Sequence, residues 1–158
     1  MTSVLDTTLP GNGTVELRMD ARPENLVLAR LAVGGIAARS GFAEEAVADL
    51  KLAVTEACTN AIEHGYAGGD GDDEIVIRAV ADDEKMVIEV QDWGIGFDAE
   101  AHWGARGEFR DPEELTFEGR DRAGVGLRLI RSLSDELTVT SGPSGSLIAF
   151  AKKLSRPD

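Results

Sequence analysis

Glu56 and Asn60 stand four residues apart in Glu56-Ala57-Cys58-Thr59-Asn60-Ala61. In a helix that spacing stacks two side chains on one face, one turn apart. A carboxylate above an amide suits a divalent hard cation and a water or hydroxyl: the amide oxygen can ligate Mg2+, and the carboxylate can orient or deprotonate a nucleophile. Taken alone, the pair is what an ordinary solvated helix face presents. A second group is Asp92 in Asp92-Trp93-Gly94-Ile95-Gly96-Phe97. Asp92 shares the strand face of Met86, Ile88 and Val90, and an acid on a buried face needs donors, of which an adenine amino group would be one. Gly94 and Gly96 let the backbone approach a flat ligand, with Ile95 or Phe97 as its wall. The plain alternative is a strand ending in an Asp- and Gly-containing turn. The third group is Gly124-Val125-Gly126-Leu127 at the start of a helix, where free N–H groups and the helix dipole favour phosphate, with Arg120, Arg122 and Arg128 nearby in sequence.

Five short strands and three helices must position these groups. Residues 15–19 alternate apolar and polar side chains as a half-buried strand does. Pro23 opens a helix over 23–40, with Leu26, Ala29, Val33 and Ile36 at helical spacing and Gly41 as its stop. A second helix over 43–64 carries Val47, Leu50, Val54, Ala57 and Ala61 on one stripe. Residues 74–80 and 85–91 form a hairpin around Asp82-Asp83-Glu84. Leu127, Ile130 and Leu133 mark a third helix from about Gly124, and residues 136–140 and 146–150 form a last hairpin. The order β-α-α-β-β-loop-α-β-β predicts an α+β fold, a two-layer sandwich whose mostly antiparallel sheet is covered on one face by the three helices. Residues 1–13 read as a flexible tail and 14–154 as one domain; residues 94–122 are long for a structureless connection, of the kind usual for lids or disordered segments.

The whole composition narrows the field further. Sixteen Lys and Arg against 29 Asp and Glu give a net charge of −13, so neither nucleic acid nor an anionic membrane is an expected partner. No stretch approaches a membrane span, and the start of the chain lacks the basic and apolar runs of an export signal, so the expected location is the cytoplasm. One cysteine, Cys58, and two histidines are too few for a zinc quartet. A P-loop is absent. Gly94-Ile95-Gly96-Phe97-Asp98-Ala99 imitates a dinucleotide fingerprint, but Gly104 and Gly107 interrupt the helix that such a fold needs next.

The three groups in this order closely resemble the boxes of the GHKL ATPase superfamily, whose Bergerat fold is the sandwich described above and which places a mobile lid between its second and third boxes. The wording of residues 56–61 and the short chain are most similar to the anti-sigma factor serine/threonine kinases of bacterial partner-switching systems. The resemblance implies ATP and Mg2+ as cofactors, Glu56 as general base toward a serine hydroxyl, Asn60 as Mg2+ ligand and Asp92 as reader of adenine. It implies that Gly94, Gly96, Gly124 and Gly126 shape the nucleotide pocket and its lid, the lid itself lying over 97–122. Phe97, Arg122, Val125 and Leu127, read from the residues themselves, complete the candidate nucleotide-binding residues. Gly145-Ser146 resembles the small-residue box near the last strand. The implied partners are an anti-anti-sigma protein of the STAS type, phosphorylated on serine, a sigma factor held in its place, and a second copy of the chain in a homodimer. Two other functions compete: an ATP-binding switch that transfers nothing, and the catalytic module of a histidine kinase, which would phosphorylate a histidine on a helical hairpin that the chain does not contain.

Overall fold

Strands form where apolar residues run unbroken or alternate, and the sheet is built from five of them. The computed structural model describes residues 13–65, 73–94, 122–142 and 144–155. Its strands are β1 (Val15–Asp20), β2 (Glu74–Ala81), β3 (Lys85–Asp92), β4 (Glu136–Gly142) and β5 (Gly145–Lys153). They lie in the order β1-β2-β3-β5-β4 with every neighbouring pair antiparallel. The helices are α1 (Leu26–Arg39), α2 (Glu44–Asn60) and α3 (Arg122–Leu133). The element order is the one that the sequence predicts. The tail over 1–13, apart from Gly13, and the lid over 97–122, apart from Arg122, lie outside the described residues.

The boundaries differ from the prediction in three places, each for a local reason. The first helix does not start regularly at Pro23: residues Pro23–Asn25 form a 3-10 turn, with the Leu26 N–H bonded to the Pro23 carbonyl and Asn25 Nδ2 to the Asp20 carbonyl at 2.9 Å. The second helix stops being α-helical at Asn60 and widens into a π turn over Ala61–Gly65. The third begins at Arg122, because Arg and Ala propagate a helix better than the glycines after them.

One face of the sheet carries the core. Ile75, Ile77, Met86, Ile88, Val90, Ile148 and Phe150 meet Ala29, Val33, Leu50, Val54, Ala57, Leu127 and Ile130 from the helices. Val47 and Leu26 of the predicted stripes are only partly buried, at its rim. The opposite face is apolar too: Val76, Val80, Val87, Leu147, Ala149 and Ala151 are buried, so β2, β3 and β5 read as continuous apolar runs rather than as alternation. Glu89 is buried on that face, where Arg78 reaches it at 3.8 Å and donates to Gln91 at 3.0 Å. Among the described residues, no helix is long and apolar enough to cross a membrane.

Candidate functional site

The site begins where α2 ends. Along the last turns of this helix Thr55 and Thr59 turn their hydroxyls back onto the Lys51 and Thr55 carbonyls, at 2.7 and 2.8 Å, and are satisfied within the helix. Glu56 and Asn60 point elsewhere, toward α3. Far from lining a solvated face, Asn60 is 2% exposed and Glu56 is half-buried. Asn60 Nδ2 is buried with no hydrogen-bond partner among the described residues. An orphaned amide of this kind costs on the order of 1–3 kcal/mol, which is the signature of a position kept for a ligand rather than for the fold.

Gly126 of α3 closes the other side. A methyl group placed there would lie 3.1 Å from Asn60 Oδ1 and 3.2 Å from Glu56 Oε2. The third sequence group thus meets the first through the absence of a side chain. The helix start explains why: with α3 beginning at Arg122, the Gly126 N–H falls within the i to i−4 ladder and bonds inside the helix instead of being open to a phosphate. Arg122 and Gly124 contribute the backbone of the first turn, where N–H groups have no intrahelical acceptor. Val125 is exposed at 45%, whereas Leu127 is fully buried and packs in the core with Ile130.

Asp92 occupies the end of β3, and the structure supplies donors that the spacing does not reveal. Gly94 donates its N–H to Asp92 Oδ1 at 3.0 Å, and the Ser146 hydroxyl donates to Asp92 Oδ2. Ser146 faces Asp92 because β3 and β5 pair residue 92 with residue 146. With Asp92 only 3% exposed, burial raises its carboxyl above the usual carboxylate range, opposed by the Ser146 hydroxyl and the backbone N–H groups of Gly94 and Ser146. A carboxylate offers about four lone-pair sites, so acceptor capacity is left for one further donor. Gly145 makes the approach possible: its φ is +135°, and a side chain there would come within 2.8 Å of the Trp93 Cα and run into the Asp92 carbonyl. Ser146 is the residue that motif reading left without a role beyond a small-residue pair, and only strand register exposes it. Gly96 and Phe97 lie outside the described residues.

The π turn after Asn60 packs against β3 and β5, which joins the helix that carries Glu56 and Asn60 to the strands that carry Asp92 and Ser146. Cys58 takes no part. Complete burial pushes its thiol up to about 12, so it is an inert core residue.

Residues 19–152 match the family model of the histidine kinase-like ATPase domain. The chain belongs to that family. It is 36% identical over 143 residues to the serine-protein kinase RsbW of Bacillus pumilus, covering 90% of this chain and 86% of that protein. It is 38% identical over 123 residues to RsbW of Listeria monocytogenes, covering 78% and 76%. Among solved structures, the RsbU and RsbW domains of Rv1364c from Mycobacterium tuberculosis superpose with a TM-score of 0.64 at 23% identity, over 94% of this chain and 34% of that one, which shows the shared fold. In a histidine kinase-like ATPase domain the bound nucleotide is ATP. The orphaned Asn60 amide and the space kept clear by Gly126 fit a triphosphate with its cation: Nδ2 seeks an acceptor oxygen, and Oδ1 suits a hard cation.

Proposed function

We propose that the protein is an ATP-dependent serine kinase and anti-sigma factor of a bacterial partner-switching system, which phosphorylates an anti-anti-sigma protein of the STAS type and holds a sigma factor when that protein is absent. The observation that carries this reading is the meeting of Glu56, Asn60 and Gly126 at one point between α2 and α3. The RsbW relatives, named serine-protein kinases, support the same activity over most of the chain.

Bound Mg-ATP supplies the transferable phosphoryl group and the cation that neutralises it. Asn60 is the residue that would hold Mg2+, and the open N–H groups of the first turn of α3 would hold phosphate. Asp92 would accept from the adenine amino group while Ser146 and Gly94 keep its carboxylate in place. Glu56 would take the proton of the serine hydroxyl as its oxygen bonds to the γ-phosphorus and the bond to ADP breaks. The lid over 97–122 and a homodimer belong to the same reading, and so does work in the cytoplasm.

Labelled Mg-ATP with candidate anti-anti-sigma proteins from the same genome tests it. Serine labelling by the wild type, lost in Glu56→Gln with nucleotide still bound and lost in Asn60→Ala, is the expected result. ATP binding with no candidate labelled would replace the kinase with a nucleotide-dependent binding switch.

A further inference from the structure

Helices α2 and α3 pack against each other through the core, and beyond the site a side chain of the sheet bridges them. Lys152 of β5 donates from Nζ to the carbonyl of Leu133 at 3.0 Å and lies 3.4 Å from Asp49 Oδ2 of α2, with its side chain 19% exposed. Leu133 is the last residue of α3, so its carbonyl lacks an intrahelical donor, and a cation there also meets the negative end of the helix dipole. The end of α3 is stiffened by Ser134 Oγ donating to the Ile130 carbonyl at 2.8 Å and by Arg131 Nη1 donating to the Ser134 carbonyl at 3.1 Å.

The spacing between the site and this bridge is the same on both helices. Seven residues separate Asp49 from Glu56 on α2, and seven separate Gly126 from Leu133 on α3. At 1.5 Å per residue each interval is about 10.5 Å, and the two run in opposite directions along the chain. The helices therefore run antiparallel, and the Lys152 bridge lies about two turns from the site. The apolar packing between them is non-directional, whereas the Lys152 bridge, made of directed polar contacts, fixes one position along and around the two axes. Without the ammonium, the Asp49 carboxylate and the Leu133 carbonyl would face each other as two negative ends and push the helices apart. At the site even a methyl group on Gly126 would come within 3.1 to 3.2 Å of Asn60 and Glu56, and transfer chemistry loses rate steeply when a reacting group is displaced by an ångström.

We propose that Lys152 is a positioning residue for phosphoryl transfer, which holds α3 against α2 at the separation that Glu56 and Asn60 require. The proposal rests on the kinase reading above. Its test uses the full chain, Mg-ATP and the acceptor protein found by labelling, with Lys152→Met, Lys152→Arg and Asp49→Asn. Nucleotide-binding stoichiometry counts the folded molecules in each preparation, well below its melting temperature. The expected result is that Lys152→Met binds one ATP with a Kd within about threefold of the wild type while kcat per folded molecule falls at least about fivefold. Lys152→Arg should recover most of the rate. Should Lys152→Met fail to fold, Asp49→Asn carries the same test, since it weakens the same join from the other helix. If kcat per folded molecule stays at the wild-type value in the variants, Lys152 is only a helix cap and the proposal is overturned while the kinase reading stands. If the wild type itself transfers nothing, both fall together.

Discussion

At Gly126 two effects of one methyl group oppose each other, and they can be measured separately. Gly to Ala inside a helix contributes about 0.5–1 kcal/mol to folding by intrinsic propensity. Against it, the new methyl would press on the Glu56 carboxylate and the Asn60 amide at 3.2 and 3.1 Å. Gly126→Ala should therefore keep or slightly raise the urea midpoint while ATP affinity and transfer fall about tenfold or more; a variant as active as the wild type would refute the tight meeting of α2 and α3. Asp92 gives a pH prediction. Because burial raises its carboxyl in the folded chain, the folded state holds that proton more tightly than the unfolded state. The stability contributed is complete below the unfolded carboxylate pKa and is lost as pH rises through the folded value. Asp92→Asn should then gain on the wild type in urea midpoint as pH rises above about 4, and taking the difference between the two removes the repulsion among the other acids. An unchanging difference would contradict the raised carboxyl. The residue types of this site were legible in the sequence, since four-residue spacing put Glu56 and Asn60 on one face. Ser146 had no assigned contact there, because its meeting with Asp92 depends on register across 54 positions.

The elements were legible wherever one period dominated. Strands β2 and β3 stood out because β-branched residues fill them, and α2 because Leu50, Val54 and Ala57 recur at helical steps. Boundaries were less so, because they turn on single hydrogen bonds: the π turn after Asn60 and the 3-10 turn at Pro23 leave no periodic mark. The β4–β5 hairpin closes with Gly142 opposite Gly145, and Gly145 alone of the two adopts positive φ. Gly145→Ala combines backbone strain with a collision against the Asp92 carbonyl. It should lower stability by about 2 kcal/mol or more and weaken nucleotide binding together. Thermal melting and nucleotide titration of the same preparation check both, and a loss confined to one of them would separate the hairpin from the Asp92 end of the site.

For the whole molecule, composition and element order were enough to give a two-layer α+β sandwich, but not its strand order. Nothing in a hairpin pattern says that β5 inserts between β3 and β4, nor that the face away from the helices is buried as well. That order bears on how the chain is made. Strand β3 finds its second neighbour only in β5, whose Ser146 to Lys153 pair with Asp92 back to Lys85, so during synthesis a finished edge of Val87, Ile88 and Val90 waits unpaired until β5 leaves the ribosome. Such an edge is a template for sticking to other chains. A chain stopped after Gly142 should accordingly collect in the insoluble fraction even though both helices of the first half and the β2–β3 hairpin are present, and the growing chain should need the most help from chaperones in the interval before the nine residues of β5 can close the sheet.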